Sequence, residues 1–325
     1  MRPSANIWAL VLAAGEGRRL QSLTTDRFGA VVPKQFCSLN GGHSLLRAAL
    51  RRCESVAVRD RICTVVDTQH RRWWQPMLED VPKENVIIQP RNRGTGNGIL
   101  LPLLQIMAKD PASHVVILPS DHYVREESTL ANALQFAVRT TEINPRQIIL
   151  LGMPPDQAHA DFGYILPGAA DAPQLFHVDR FVEKPAKSLA ADLIAAGAMW
   201  NAFILTASAR ALGELFLRRY PFIVAEMHSA VVNRIEGTTD DCGMTQLYRD
   251  LPAIDFSTQV MQGAEESLRV LRVRPCGWND LGTPMRLAET LRGLSPMSQA
   301  EDACPEVAAL SLHAQHAMKA SRLET

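Results

Sequence analysis

A glycine turn with two arginines, Gly15-Glu16-Gly17-Arg18-Arg19, stands directly behind an apolar run at residues 7–13. Two glycines let backbone N–H groups converge on a phosphate, and Arg19 adds a fork that grips such an anion in bidentate fashion. An ordinary tight turn with solvated arginines fits the same residues. Lys34 follows in "VPKQF", either a second cation for that anion or a solvated charge. Further on, "VVILPSDHYV" ends an apolar run in Asp121, and "GWNDLGTP" offers Asp280 between glycines. A carboxylate at the end of a core strand suits Mg²⁺, a hard ion that takes oxygen ligands; it also suits the capping of a turn. His122 reads as a hydrogen-bonding residue rather than a metal ligand. "FVEKP" sets Glu183 beside Lys184, one suited to hydroxyls and the other to a phosphate, or else an exposed ion pair. "MWNAFIL" buries Asn201, whose amide needs partners such as sugar hydroxyls. No Ser/His/Asp or Cys/His constellation accompanies these groups.

Two familiar phosphate templates fail. "GEGRRL" is not GxxxxGK[ST], and it lacks the third glycine of GxGxxG; Asp67 is the sole candidate for a ribose partner.

The elements that must position these residues follow from hydrophobic patterning. Short apolar runs at 7–13, 61–67, 85–89, 114–119 and 147–153 read as buried strands. Amphipathic segments near 43–56, 69–79, 96–109 and 128–142 read as helices. Strands alternating with helices predict an α/β fold, a Rossmann-like, mostly parallel sheet covered on both faces, with ligands at the carboxyl ends of the strands. The glycine turn and Asp121 share that edge. Past residue 155, "DFGYILPG", "LFHVDRFVEKP", "WNAFIL" and "SLRVLRVRP" read as strands of an inserted or extended sheet, with helices at 187–197, 208–219 and 222–235.

Composition narrows the class. The chain has 325 residues, 46% of them hydrophobic, enough for a sizeable core. Lys+Arg and Asp+Glu both number 34, so there is no charge footprint for nucleic acid or an anionic membrane. The six cysteines form no CxxC pair and no zinc-type spacing. The N-terminal apolar run leads straight into the glycine turn and reads as a strand, not a signal peptide. No run of 18 apolar residues exists, so no membrane span is expected. A reduced, cytoplasmic, soluble protein is expected.

The ordered series "LAAGEGRRL", "PKQF", "RNRGTGNGI", "PSDH", "FGYI", "FVEKP", "WNAF" and "GWNDLGT" resembles the sugar-phosphate nucleotidyltransferases, and among them most closely the mannose-1-phosphate guanylyltransferases. The resemblance runs from about residue 7 to about residue 290. It implies one nucleotidyltransferase domain over 1–292, with a nucleotide-binding part near 1–154 and a smaller inserted α+β sugar-binding part near 155–292. A short, partly helical tail at 293–325 follows.

The implied reaction is attack by a sugar-1-phosphate oxygen on the α-phosphorus of a nucleoside triphosphate, with Mg²⁺ as cofactor and pyrophosphate leaving. By the same resemblance, Ala13, Ala14, Gly15 and Gly17 hold the triphosphate, Arg19 stabilises the departing pyrophosphate and Lys34 adds charge. Asp121 and Asp280 hold Mg²⁺. Lys184 binds the sugar phosphate, and Glu183, Asn201 and the Gly163 backbone contact sugar hydroxyls. Gln89, Arg93 and Thr95 fall where the family contacts the base and nearby phosphates. Partners are then small molecules, GTP and mannose-1-phosphate, with a homodimer left open. Another base or hexose, and a non-catalytic nucleotide-sugar-binding homologue, are the competing readings.

The sequence departs from the family in several places. Ala14-Gly15 replaces paired glycines, Arg18 replaces a threonine, and "QSLTTDRFGAVV" is longer than usual. Gly94 stands where the family has Asn, and Phe203 where it has Gly. The last two put base and sugar identity in doubt more than the reaction type.

Overall fold

The computed structural model describes residues 6–25, 29–39, 41–237 and 241–294. Nine strands form one sheet: β1 (Ile7–Leu12), β2 (Ile62–Asp67), β3 (Val86–Gln89), β4 (His114–Pro119), β5 (Ile148–Met153), β6 (Gly163–Ala172), β7 (Leu175–Glu183), β8 (Met199–Ser208) and β9 (Leu268–Arg272). Their order is β3-β2-β1-β4-β8-β5-β9-β7-β6. β1 to β4 pair in parallel, as do β5 and β9, while β8 and β7 run against the other strands. The central strands are apolar along their whole length because both faces are covered.

One face carries α1 (Leu45–Cys53), α2 (Arg71–Met77), α4 (Glu127–Ile143) and α5 (Lys187–Ala195), whose apolar sides meet Val11, Val66, Val116 and Ile149. The other carries α3 (Gly94–Lys109), α6 (Ala209–Arg219), α7 (Pro221–Ile235) and α8 (Asp241–Asp250), packed on Leu10, Val65, Ile117 and Leu150. α9 (Pro284–Arg292) lies in a third cluster with Leu20, Leu39 and Leu281. Thr283 caps α9, its hydroxyl accepting from the Arg286 N–H.

The strands after residue 155 do not make a sheet of their own. β8 enters between β4 and β5, and β9 pairs with β5 on its other side. β6 also pairs with the start of β8, so β5, β9, β7, β6 and β8 close pairwise into a ring. Residues 295–325, most of the expected tail, lie outside the described residues. Among the described residues no helix is long and apolar enough to cross a membrane.

Candidate active site

The glycine turn leaves the carboxyl end of β1, where Ala13 N–H donates to Val65 O at 2.9 Å. Gly17 adopts φ 61, a left-handed conformation open to glycine, and a Cβ there would stand 3.0 Å from Lys34 N. Gly15 faces open space. The turn is held from beneath by Gln35, whose buried amide donates to Ala13 O at 3.0 Å and to Gly15 O at 2.8 Å. Gln35 lies inside the quoted "PKQF", yet nothing in its type or spacing singled it out; a polar residue between Lys34 and buried Phe36 was the available signal. Arg18 and Arg19 belong to the 3₁₀ turn Arg18–Leu23, and their side chains lie outside the described part of the structure.

Lys34, expected to add charge beside the triphosphate, is paired within the protein. Its ammonium, only 8% exposed as a residue, pairs with Asp121 Oδ2 at 2.9 Å and donates to the Asp280 carbonyl at 2.5 Å. A buried ammonium needs such partners. It thereby ties the ends of two motifs 159 positions apart, Asp121 and Asp280, to one point. Burial alone would raise the Asp121 carboxyl, but the Lys34 ammonium leads the groups that outweigh it and hold the carboxyl below the usual aspartate range. His122 is neutral: burial pushes its pKa down to about 4, and its Nδ1 accepts from Trp278 Nε1 at 3.2 Å.

Asp280 is fixed by Arg286, a residue sequence reasoning missed. Arg286 Nε donates to Asp280 Oδ1 and to Asn279 Oδ1, both at 3.1 Å, and Gly282 N–H also donates to Asp280 Oδ1 at 3.1 Å. The guanidinium is buried over the rings of Phe162, at 4.9 Å, and Trp200, at 5.1 Å. These rings join Trp278 and His159 in one aromatic cluster.

Next to the glycine turn opens a cleft of about 260 Å³, walled by Ala14, Gly15, Gln89, Thr95, Asp121 and Phe203, among others. Thr95 lines it, but its hydroxyl accepts from Phe256 N–H at 2.8 Å. The Arg93 guanidinium, expected near the base and phosphates, donates to Tyr248 O at 2.8 Å and to Arg249 O and so secures the end of α8. A loop arginine and a phosphate-binding arginine look alike in sequence; the carbonyls that claim this one come from a helix 155 residues away.

The Gly94 departure is explained by packing. Gly94 has φ 81, and any Cβ there would run into the Ile254 carbonyl. Ile254 is held against the helix start by Gly96 N–H donating to its carbonyl at 2.7 Å and by its own N–H donating to Arg93 O at 3.1 Å. Gly94→Asn therefore combines strained backbone with a collision. A stability loss of about 1–3 kcal/mol is expected, read as a melting temperature lowered by several degrees; an unchanged melting temperature would contradict this packing.

Phe203 also takes an unusual conformation, φ 55, at the irregularity in the β8–β5 pairing. Its N–H donates to Asn201 Oδ1 at 3.1 Å, and its half-buried ring meets Phe256 edge-on at 6.1 Å while lining the cleft.

Beyond Phe203 lie the residues expected to hold a sugar. Gly163 and Glu183 are directly paired across β6 and β7, and a Cβ on Gly163 would crowd Glu183 Oε2 and Asn201. Glu183 Oε2 is buried with no hydrogen-bond donor among the described residues, and burial raises its carboxyl above the usual range despite Lys184, whose Nζ is 3.6 Å from Oε1. Lys184 itself is mostly exposed.

The raised pKa has a consequence for stability. The charged form is disfavoured in the fold, so Glu183 weakens the native state above its folded pKa, and that burden disappears in acid. Glu183→Gln is expected to stabilise the protein at pH 7–8 by about 1 kcal/mol, with the gain shrinking as pH falls. Thermal melts at pH 8 and pH 4.5 check it; a loss of stability at pH 8 would show the carboxylate to be well paired.

The fold and site define the class. The chain matches the Nucleotidyl transferase family over residues 8–295 and belongs to it. Among curated relatives it is 30% identical over 286 residues to xanthan biosynthesis protein XanB of Xanthomonas campestris pv. campestris (strain B100), covering 86% of this chain and 58% of that one. It is 27% identical over 290 residues to a mannose-1-phosphate guanylyltransferase of Escherichia coli, covering 86% and 60%. The chain thus spans under two thirds of the length of these relatives. A crystal structure described as a mannose-1-phosphate geranyltransferase from Thermus thermophilus superposes with a TM-score of 0.74 at 27% identity, covering 90% of this chain and 81% of that one.

Proposed function

We propose that this chain transfers the guanylyl group of GTP to mannose-1-phosphate, forming GDP-mannose and pyrophosphate. The observation that supports the reading is that the cleft is lined by the glycine turn and Asp121, that Lys34 ties Asp121 to the Asp280 backbone, and that cleft-lining Phe203 is hydrogen-bonded to Asn201, which adjoins Gly163 and Glu183. Residues 1–154 then supply the nucleotide side and 155–292 most of the sugar side.

The attacking phosphate oxygen is already an anion, so the protein's tasks are alignment and charge neutralisation rather than proton removal. The turn at 13–17 holds the triphosphate, with Arg19 beside the departing pyrophosphate. Gly163, Glu183 and Asn201 fix the hexose, and exposed Lys184 reaches its phosphate. Lys34 keeps Asp121 ionised and holds the two acidic motifs together.

The residues present fit Mg²⁺. Asp121 and Asp280 are hard oxygen donors on segments that Lys34 joins, through the Asp121 carboxylate and the Asp280 carbonyl, while the Asp280 carboxylate also holds Arg286; among the described residues no group of three or more His, Cys, Asp or Glu could hold a metal. Two carboxylates with the rest of the shell left to water and phosphate oxygens is a common arrangement for this ion. When bound, Mg²⁺ would offset phosphate charge and orient the reacting groups.

Pyrophosphate release is expected only when an NTP and a hexose-1-phosphate are both present, and chelation by EDTA is expected to stop it. GTP should exceed ATP and UTP by at least about tenfold in kcat/KM, roughly 1.4 kcal/mol, and mannose-1-phosphate should exceed glucose-1-phosphate. Equal release from NTP alone would mark a hydrolase. A preference for UTP with glucose-1-phosphate would move the chain to a sister activity.

A further inference from the structure

Beneath the nucleotide side of the cleft, several buried polar atoms lack partners among the described residues. Asp67 ends β2 and Gln89 ends β3, and the two are directly paired in the parallel register. They continue the alternation of Val65 and Ile87, so both lie on the face covered by α3. Each is only 1% exposed. Asp67 Oδ1 accepts from Gln69 N–H at 2.9 Å, but its Oδ2 has no donor. Gln89 Oε1 has none either, while its Nε2 lies 3.2 Å from where a Cβ on cleft-lining Gly98 would stand.

Two buried acceptors at paired strand ends, each without a donor among the described residues, are costly. Adjacent strands are about 4.8 Å apart, so such side chains can reach each other. The two ends of a glutamine amide have the same shape, and their partners decide which end faces which way.

We propose that Asp67 is a positioning residue that turns the Gln89 nitrogen inward, leaving the amide oxygen to read the base in the cleft. Nε2 then donates to Asp67 Oδ2, and Oε1 accepts from the base. An acceptor there suits guanine, whose edge offers N1–H and a 2-amino group. It repels adenine, whose N1 is itself an acceptor. The buried Tyr248 hydroxyl, also unpartnered among the described residues and influenced by the Asp67 charge, is the rival donor in this corner. The inference rests on the nucleotidyl-transfer reading and specifies how that site selects its base.

Asp67→Asn tests it, because asparagine keeps the oxygen that accepts from Gln69 and replaces the other with a donor. That donor would pair with Gln89 Oε1 and hold Nε2 in the cleft. Titration calorimetry with GTP and ATP is expected to show the ratio of their Kd values falling at least tenfold, with little change in melting temperature. Adding Gln89→Glu, which presents only acceptors, is expected to restore the preference for GTP. Gln89→Leu, which has no amide to orient, should lose the preference as well. An unchanged GTP-to-ATP ratio in Asp67→Asn or in Gln89→Leu overturns the inference. Failure of the parent protein to bind either nucleotide overturns the nucleotidyl-transfer reading along with it.

Discussion

Asp121→Asn is expected to lower kcat about 10³-fold at saturating substrates, roughly 4 kcal/mol of transition-state stabilisation. The carboxylate has two tasks. It is the carboxylate partner of the buried Lys34 ammonium, and in the proposed reaction it is one of two carboxylates that would hold Mg²⁺. Asparagine keeps the shape but abolishes the charge needed for both. The fold should survive, because Lys34 retains the carbonyls of Asp280 and Leu281 and the Asp121 side chain is a third exposed. Asp280→Asn should be milder, about 10²-fold or 2.7 kcal/mol, since an amide oxygen still accepts from Arg286 and Gly282. The same pair sets an acid limit. The Asp121 carboxyl is held below its ordinary range, so its stabilising contribution is full above the ordinary aspartate pKa and is lost as pH falls through the lower folded value. Steady-state kinetics over a range of Mg²⁺ decides the matter: turnover in Asp121→Asn near that of the parent protein would make the residue structural.

Arg286→Leu should have the largest effect on stability. It leaves the Asp280 carboxylate without its cation, removes one of the two donors to Asn279 Oδ1 (the Leu281 N–H remains) and leaves the Phe162 and Trp200 rings without the plane that covers them. Breaking a buried pair in this way costs about 3–5 kcal/mol, a fall in melting temperature of roughly 5–8 °C for a domain of this size. Arg286→Lys keeps the charge but not the planar fork, so only part of the loss should return. Thermal unfolding followed by circular dichroism, with activity measured below the transition, separates damage to the fold from damage to the site. A melting temperature within about 2 °C of the parent, well inside that expected fall, would mean the cluster contributes nothing net.

What the sequence made legible depended on how local the signal was. Each strand from β1 to β5 is a continuous apolar run between turns, so each was readable, and with them the edge that carries Gly15 and Asp121. Motif order singled out Gly163, Glu183 and Asn201, which the structure places side by side. What could not be read was which distant group each polar side chain meets. The protein partners of Lys34 were not legible, because its carboxylate partner lies 87 positions away. Nor was there any sign that Tyr248 would offer Arg93 a carbonyl. Arg286 sits in an amphipathic helix, where an arginine ordinarily means a solvated face. Gly94 seemed a lost base contact, whereas the close approach of Ile254 requires it.

The late arrival of β8 bears on how the chain folds. Among the described residues β5 has no strand partner other than β8 and β9, and β4 waits for β8 on one of its edges. A ribosome must therefore deliver residue 208 before β4 is covered and residue 272 before the ring can close. Pairing over such separations raises contact order and slows folding. A fragment ending near residue 154 would display bare strand edges, the usual starting point of aggregation. Residues 1–154 and 155–292 share one sheet through these pairings, so they are not expected to be exchangeable between relatives as independent modules. A ligand that binds the native chain stabilises all of it by mass action.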